Sequence, residues 1–260
     1  MRPDSALVSI IIPVLNGATT LRQCLDSIKE QTYPKLELII IDGGSTDTTV
    51  DILREYGGQI SRWDSEPDDG VYDAMNKGVN ISTGDWIYFL GADDVLLNGF
   101  SRIIESFLDH NTIYYGDVVM PVRKRRYDGR FSAYKLASRN ICHQSVFYPR
   151  IVWDKHAFNL KYTGLADYEL NMRCFGDPDI RFEYIPETVA RFQDNEGISQ
   201  MRQDAIFDQE KLLLVKKNFP AVIYYVVVIR TVLMDLLKRA GLYEVVWKIK
   251  NYVARIKTSR

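Results

Sequence analysis

The sequence predicts an α/β protein with a Rossmann-like, mostly parallel central sheet flanked by helices. Two nearly continuous apolar runs, Leu7–Ile12 and Leu36–Ile41, are typical of strands covered on both faces. Between them Leu21, Leu25 and Ile28 recur at helical spacing, so this segment reads as strand, helix, strand. A length of 260 residues, with 46% apolar and 26% charged residues, fits one globular α/β unit with an appendage.

The next elements continue this alternation of strands and helices. They are a helix around Val50–Tyr56, a strand at Ile60–Trp63, a helix at Val71–Ile81, a strand at Trp86–Leu90 and a helix over Phe100–Leu108. Because alternating strands and helices build parallel sheets, the regular part of the fold extends through residues 1–110.

After Ile113 the pattern becomes mixed. The sequence predicts strands at Ile113–Val119, Gly129–Tyr134 and Ser145–Tyr148 with a basic loop at Arg123–Arg126, a helix at Asp167–Phe175, one or two strands in Ile180–Arg191, and a helix capped by Ser199 that ends near Asn218. We therefore predict a body at residues 1–218, with halves at 1–110 and 111–218, and a helical tail at residues 219–260.

Charge is unevenly distributed along the chain. From Lys216 onward ten Lys and Arg residues stand against two acids, out of 33 and 34 in the whole chain. An acidic body argues against a nucleic-acid partner, whereas a basic tail favours an anionic one. The cysteines Cys24, Cys142 and Cys174 form no CxxC pair, and no apolar signal precedes Leu7, so we expect reduced thiols and a cytoplasmic location.

Acidic residues follow three of the first four predicted strands. Asp42 and Asp47 follow the second strand, Asp68 the third, and Asp93 and Asp94 the fourth. Ligands of open parallel sheets bind beyond these strand ends. A single acid there is most simply a helix cap, but a cap needs only one oxygen, so an adjacent pair of carboxylates indicates a site for a hard cation or for hydroxyl groups.

Four ordered motifs resemble those of family 2 glycosyltransferases of the GT-A fold. They are Ser9–Asn16, Leu38–Asp47, Asp73–Gly78 and Gly84–Asp94. The stretch Glu66–Gly78 is similar to the bacterial branch that builds exopolysaccharides and surface polysaccharides. The resemblance implies an inverting transfer from a nucleoside-diphosphate sugar, with a UDP-sugar as the expected donor and Mn²⁺ or Mg²⁺ as the cofactor. The expected acceptor is a lipid-linked saccharide.

The resemblance also implies roles for single residues. Pro13 and Asn16 fall where the family's first loop lines the nucleotide, and Asp42 falls where a carboxylate meets the base. Asp94 corresponds to the metal ligand, and Asp93 to the contact with ribose or sugar hydroxyls.

Two positions depart from the family pattern. Gly91 stands where a first carboxylate is often found, and Met75 stands where many relatives place an Arg before Asn76. Asp73 and Lys77, in the same motif, are assigned to the nucleotide-sugar site, with Lys77 as the available cation.

An inverting transferase needs a base for the acceptor hydroxyl. Asp167 matches the family's catalytic Asp, although Ala166 replaces the acid that precedes it. Without the resemblance, Asp167 would read as the N-cap of its helix, and Glu169 is the fallback base. His143, in a His-Gln pair that recurs in this branch, is assigned to the diphosphate or acceptor, with a purely structural role as the alternative.

The last part of the chain carries two further expectations. Phe192–Ser199 corresponds to a loop that closes over the donor in relatives. The stretch Leu242–Lys257, with Trp247 and Tyr252, has the composition of an interfacial helix, which predicts a peripheral position on the anionic inner face of the cell membrane. The alternative is a helix packed on the body or on a second subunit of a homo-oligomer. The apolar stretch Ala221–Ile229 is too short to span a bilayer.

Other functions remain open at this stage. A nucleotidyltransferase that makes sugar nucleotides typically opens with a Gly-rich basic loop, which Pro13–Gly17 is not. A dinucleotide oxidoreductase lacks its Gly-x-Gly-x-x-Gly fingerprint here. A catalytically silent protein that binds sugar nucleotides, or a scaffold, would carry the same binding motifs.

Overall fold

The structure, a computed structural model, describes residues 6–193 and 204–242. Its strands are β1 (Val8–Val14), β2 (Leu36–Asp42), β3 (Arg62–Ser65), β4 (Trp86–Phe89), β5 (Val95–Leu96), β6 (Thr112–Met120), β7 (Arg125–Tyr127), β8 (Val146–Pro149) and β9 (Arg181–Arg191). Its helices are α1 (Leu21–Lys29), α2 (Thr49–Glu55), α3 (Val71–Ile81), α4 (Gly99–Ile104), α5 (Ala133–Ser138), α6 (Arg150–Lys155), α7 (Ala166–Gly176), α8 (Ala205–Asn218) and α9 (Ala221–Arg239).

The strands form one continuous sheet in the order β3-β2-β1-β4-β8-β6-β9-β5, with β7 paired to β6. The strands β3, β2, β1 and β4 run parallel to their neighbours. From β8 onward the sheet is mixed, because β8 is antiparallel to both β4 and β6 while β9 is parallel to β6. The predicted mostly parallel first half and mixed second half are therefore confirmed.

Apolar layers cover both faces of the sheet. Along β1, Ile11 packs into one layer, whereas Ile10 and Ile12 pack into the other. This alternation follows from the two-residue period of a strand, and each buried Ile contributes about 1.5–3 kcal/mol. A run of β-branched residues is thus explained by a strand with no face left to solvent.

Helix α3 packs unusually close to β1 and begins and ends where the sequence predicts. Gly70, just before the helix, has φ of 111°, a conformation that favours glycine. Within α3, a Cβ added to Gly78 would lie 2.5 Å from Cγ2 of Ile11. Asn76 fixes the other side of the helix, because its amide donates to the carbonyl of Phe158 and accepts from the same residue's N–H, both at 3.0 Å.

The predicted strand at Gly129–Tyr134 is wrong. The strand is Arg125–Tyr127 instead, inside the predicted basic loop, and it pairs with the end of β6. The reason is electrostatic: the guanidinium of Arg126 donates at 2.7 Å to Asp117, a carboxylate buried in β6. A buried charge needs such a partner, so the basic segment is held against the sheet.

Short elements were missed, among them β5 and the helices α5 and α6. The expectation that Ser199 caps the following helix is also wrong, because α8 begins at Ala205 and the carboxylate of Asp204 accepts from the N–H of Phe207 at 3.0 Å. Ser199 itself lies outside the described residues.

A helical tail is present as α9, which packs against α5 and α8. Within residues 6–193 and 204–242, no helix is both long and apolar enough to cross a membrane. The predicted interfacial stretch from residue 243 onward, with Trp247 and Tyr252, lies outside the described residues. The boundaries drawn at residues 110 and 218 stay predictions.

Candidate functional site

A cleft of about 590 Å³ opens beyond the ends of β1 and β4. Its walls are the loops that follow these strands, the start of α3, the 3₁₀ turn His143–Ser145 and the segment before α7. The predicted site residues on its walls are Pro13, Asn16, Asp73, Asp93 and His143. Five of the nine assigned residues are thus brought together, as the common edge of parallel strands predicts.

Asn16 joins the loop after β1 to the loop after β2. Its backbone N–H donates to Oγ of Ser45 at 2.7 Å, and its side-chain oxygen accepts from the N–H of Thr46 at 2.9 Å. Its φ of 52° lies in the left-handed region, which Asn tolerates better than most residues. The side chain therefore shapes the rim of the cleft.

Asp42 does not line the cleft. It is buried at the end of β2, where its carboxylate accepts from the N–H of Ser45 at 3.0 Å, from the Ser45 hydroxyl, and from the hydroxyl of Ser65 at 2.7 Å. These bonds tie the loops after β2 and β3 together. The expected contact of Asp42 with a nucleotide base would have to compete with three existing hydrogen bonds.

Asp93 and Asp94 occupy different depths at the end of β4. Asp93 is exposed on the cleft wall, whereas Asp94 is only 1% exposed. The Asp94 carboxylate accepts from the side-chain amide of Gln144 at 2.7 Å and from the N–H of Gln193 at 2.9 Å. Burial, together with the negative charge of Asp93, raises the pKa of Asp94 to about 7.

Asp167 lies at the second position of α7, directly behind the cleft wall. Its two oxygens accept from the hydroxyl of Tyr72 at 2.9 Å and from the amide of Asn140 at 2.6 Å. The N-cap of α7 is Leu165, and no side chain caps the helix. The alternative that Asp167 is only a helix cap is therefore wrong: its carboxylate is held from outside its own helix.

The groups that hold Asp167 were not found by sequence reasoning. Tyr72 reaches it from α3, 95 positions earlier in the chain. Asn140 is itself oriented by the amide of Asn171 at 2.8 Å, and Asn171 accepts from the hydroxyl of Tyr148 at 2.9 Å. A chain of buried polar groups of this kind fixes the orientation of the carboxylate it ends on. Only Tyr72 carried a sequence signal, as a neighbour of the Asp73–Gly78 motif.

His143 and Gln144 connect the two acidic centres. Nδ1 of His143 lies 3.7 Å from Oδ2 of Asp167, while the amide of Gln144 donates to Asp94. The backbone carbonyl of Gln144 accepts from the hydroxyl of Tyr88 on β4 at 2.6 Å, which anchors the 3₁₀ turn to the sheet. Both side chains line the cleft, so two consecutive residues bridge the carboxylates of the two halves.

Asp73 and Lys77 form a charged cluster at the start of α3. Nζ of Lys77 lies 3.0 Å from Glu66 and 3.4 Å from Asp73, and these carboxylates, Glu66 foremost, raise the pKa of Lys77. Asp73 lines the cleft but Lys77 does not. Met75 is buried and contributes an apolar surface to the cleft.

The fallback base, Glu169, points to a different partner. It is buried, and its carboxylate pairs with Nε of Arg173, one turn later in α7, at 2.8 Å. It does not line the cleft. In the segment predicted as a lid, Phe192 lines the cleft, and residues 194–199, including Gly197, lie outside the described residues.

Residues 9–169 match the family model described as Glycosyl transferase family 2. A Mycobacterium tuberculosis protein named PGL/p-HBAD biosynthesis glycosyltransferase is 38% identical over 250 residues, which cover 87% of this chain and 96% of that protein. A Mycobacterium bovis protein of the same name matches to the same extent.

Two solved structures share the fold at low sequence identity. The structure of S. aureus TarS 1-349 in complex with UDP-GlcNAc has a TM-score of 0.61 and 16% identity, and the match covers 80% of this chain and 65% of that one. The mannosyltransferase PcManGT from Pyrobaculum calidifontis, in complex with GDP-Man and Mn²⁺, has a TM-score of 0.60 and 18% identity, over 86% of this chain and 64% of that one. The match spans less than two thirds of either solved chain. The predicted GT-A fold is confirmed.

Proposed function

This chain belongs to glycosyl transferase family 2, and from that premise we propose that it transfers a sugar from a nucleoside-diphosphate sugar to a saccharide acceptor with inversion at the anomeric carbon. One observation carries the proposal: the cleft residues His143 and Gln144 stand between Asp167 and the pair Asp93 and Asp94. Asp93 lies on the cleft wall, and the carboxylates of Asp94 and Asp167 are buried directly behind it. An inverting transfer needs such a separation between the site of the leaving group and the base.

The donor is proposed to lie along the loops of the first half. Pro13 and Asn16 would line the nucleotide, Asp93 would accept from ribose or sugar hydroxyls, and Asp73 would close the site at the start of α3. A UDP-sugar is the expected donor. Of the structural neighbours, one is a complex with UDP-GlcNAc and the other a complex with GDP-Man and Mn²⁺.

A divalent cation fits the acids at the end of β4. Among the described residues, neither Asp93 nor Asp94 forms an ion pair with Lys or Arg, and burial, together with the charge of Asp93, raises the pKa of Asp94. No cluster of three or more His, Cys, Asp or Glu side chains in the described ranges could hold a metal alone. This suits Mg²⁺ or Mn²⁺, which often bind through one or two carboxylates and the phosphates of a substrate. When bound, the ion would neutralise the diphosphate leaving group.

Asp94 is the proposed metal ligand, with Asp93 beside it on the cleft wall. A carboxylate offers about four acceptor positions, and the described residues use three of them on Asp94, through Gln144, Gln193 and the N–H of Gly91. Gln144 therefore orients the carboxylate without saturating it.

Asp167 is the proposed base. The oxygen of the acceptor hydroxyl attacks the anomeric carbon while the bond to the diphosphate breaks on the opposite face, and Asp167 receives the hydroxyl proton. Tyr72 and Asn140 hold the carboxylate in one orientation, which lowers the reorganisation required during the reaction. His143, on the cleft wall 3.7 Å away, would position the acceptor hydroxyl or the diphosphate beside it.

The acceptor is proposed to be a lipid-linked saccharide or glycolipid at the cytoplasmic face of the membrane. Support comes from the mycobacterial relatives, whose name places them in PGL/p-HBAD biosynthesis, and from the basic end of the chain. The acidic body is not expected to bind nucleic acid. In a homo-oligomer, the tail would pack on a second subunit.

The test is to incubate the full chain and Mn²⁺ with UDP-, GDP-, CMP- and dTDP-sugars. Donor binding is measured by thermal shift, because only a ligand of the folded state raises Tm. Release of the nucleoside diphosphate is then measured with and without a lipid-linked acceptor. Binding without any turnover or hydrolysis would favour a catalytically silent binding protein, and formation of a sugar nucleotide from a nucleoside triphosphate would favour a nucleotidyltransferase.

A further inference from the structure

Helix α9 exposes a row of large apolar side chains to solvent. We call this row the α9 stripe; each side chain is between 43% and 66% exposed, and its members are Val222, Tyr225, Val226, Ile229, Val232, Leu233 and Leu236. They recur every three or four residues, so they share one face of the helix. Nineteen residues of helix span about 28 Å, and apolar patches of this extent are uncommon on monomeric soluble proteins.

The stripe is not the face by which α9 packs on the body. That face is formed by buried Val227, with Ile223 and Tyr224 packed against the apolar layer that also contains α7. At 100° per residue, Val227 lies about 160° from Ile229 around the helix axis. The helix is therefore apolar on two opposite faces, and the part of the body described in residues 6–193 and 204–242 covers only one of them.

Positive charges flank the stripe. By the same helical geometry Arg230 lies on one side of it, and Arg239 lies on the other side together with Asp235, the one acid of the helix. Arg230 also lines a shallow pocket with Lys135 and Arg139 of the α5 region. Lys135 and Arg139 pair with Asp128, whereas Arg230 forms no ion pair among the described residues, so the charge of Arg230 is available to a partner.

We propose that the α9 stripe docks α9 lengthwise into the interface of a membrane that contains anionic lipids, with Arg230 and the pocket beside it bound to lipid phosphates. The apolar side chains enter the boundary between headgroups and acyl chains, and the flanking cations remain at headgroup level. The helix lies on the bilayer, since no described helix is long and apolar enough to cross it.

Charge complementarity selects a lipid surface over a second copy of this chain. An antiparallel pair of copies joined through the stripe would bring Arg230, in the middle of α9, beside Arg230 of the second copy. Like charges at an interface oppose association, whereas anionic lipids attract the margin that carries Arg230.

The inference extends the proposed function, in which the acceptor is carried by a lipid. Helix α9 packs on α8, and α8 packs on α7, the helix that carries Asp167. Docking through α9 would thus hold the base at a constant height above the membrane. The inference does not require the transfer activity, and the two are tested by separate readouts.

The experiment compares variants of the full chain by co-sedimentation with vesicles. The vesicles contain phosphatidylcholine alone, or phosphatidylcholine with about one third of the anionic lipid phosphatidylglycerol. The stripe variant carries Ile229→Glu and Leu233→Glu. The matched control is Leu108→Glu, because Leu108 and Ile229 are both 66% exposed and Leu108 lies outside α9.

We expect the wild-type chain to sediment with anionic vesicles and the stripe variant to lose at least about tenfold in partitioning. Leu108→Glu should bind like the wild type, and Arg230→Gln should bind several-fold more weakly to anionic vesicles alone. The change in Tm caused by a donor sugar nucleotide is measured on every variant. Loss of vesicle binding with an unchanged response to the donor would show that the substitution affects the α9 stripe and not the donor site.

Three outcomes would overturn the proposal. The first is a wild-type chain that stays in the supernatant, and the second is equal sedimentation of wild-type chain and stripe variant. The third is a wild-type dimer, seen by light scattering, that the stripe variant converts to a monomer, which would assign the stripe to a second copy.

Discussion

Nδ1 of His143 lies 3.7 Å from Oδ2 of Asp167, while the next residue, Gln144, donates to Asp94 at 2.7 Å. One 3₁₀ turn thus contacts both carboxylates on which the proposed chemistry depends. A displacement of this turn would change both ends of the cleft together, so we expect variants in it to affect metal response and turnover jointly.

We expect Asp167→Asn to lower kcat by about 10²–10⁴ with little change in donor affinity, because the amide accepts no proton from the acceptor. The substitution keeps the size of the side chain and one acceptor oxygen, so it can retain one of the two contacts, with Tyr72 or with Asn140. Steady-state transfer and donor thermal shift measure the two effects. An Asn variant that turns over at the wild-type rate would remove Asp167 as the base.

Glu169→Gln is the matched comparison on the same helix. Glu169 is buried and paired with Arg173 at 2.8 Å, away from the cleft. Breaking this pair should lower Tm, since the half-buried cation of Arg173 loses its carboxylate partner, while kcat of the folded protein stays close to that of wild type. A large loss of kcat with Tm intact would instead move the base to Glu169.

We expect Asp94→Asn to abolish the metal-dependent part of transfer, because the neutral amide is a weak ligand for Mn²⁺ or Mg²⁺. The readouts are the rate as a function of Mn²⁺ concentration and the effect of EDTA. Asp51→Asn serves as the control, because Asp51 is exposed on α2 and pairs with Arg54 at 2.8 Å. Undiminished wild-type activity in EDTA contradicts the metal assignment.

Asp94 should also make stability depend on pH. Burial and the charge of Asp93 raise the pKa of Asp94 from 3.8 to about 7. A carboxyl whose pKa is raised in the folded state stabilises the fold fully at pH values below its unfolded pKa of 3.8. That stabilisation is lost as the pH rises through about 7. Without added metal, Tm of the wild type should therefore fall between pH 5 and pH 8 by on the order of 5 °C more than Tm of Asp94→Asn.

Scanning calorimetry at several pH values measures this difference. Added Mn²⁺ should reduce it, because a cation favours the ionised form of the carboxyl. Parallel Tm curves for the two proteins in the absence of metal would show that Asp94 is not the titrating group.

Gly78→Ala should destabilise the fold by about 1–3 kcal/mol, because the new Cβ would overpack α3 against β1. The added atom would lie 2.5 Å from Cγ2 of Ile11. Gly58→Ala is the control, with no atom within 4 Å of its added Cβ. That substitution should be neutral or stabilise by about 0.4–1 kcal/mol through the unfolded chain. Equal Tm values for the two variants would contradict the close packing of α3.

Patterns local in the sequence predicted the parallel part of the fold well. Helix α3 has the predicted bounds, Val71–Ile81, because its buried face repeats at helical spacing and Gly70 allows the turn that precedes it. The strands β1 and β2 were predicted correctly because a continuous run of β-branched residues is typical of a strand buried in the interior of a sheet. The motifs at the ends of β1 and β4 likewise placed Asn16 and Asp93 on the cleft.

Contacts between distant parts of the chain were not predictable from one sequence. The bond from Tyr72 to Asp167 joins positions 95 residues apart, and no local pattern in the sequence predicts that they meet. The strand Arg125–Tyr127 was missed for the same reason, because its charges are compensated by Asp117 on another strand. Burial of Asp94 and Asp42 similarly follows from loops that converge only in the folded chain.

Because one continuous sheet runs through both halves of the chain, a segment of this protein cannot be exchanged freely with that of a relative. All four residues of β4 are fully buried, and β4 pairs with β1 on one edge and β8 on the other. A fragment ending near residue 110 would expose that second edge with its apolar side chains, a template for aggregation. A chimaera that exchanges the second half must therefore bring a β8 that keeps the register Ile87↔Tyr148, so the seam of any transplant is set by strand pairing and not by the boundary between motifs.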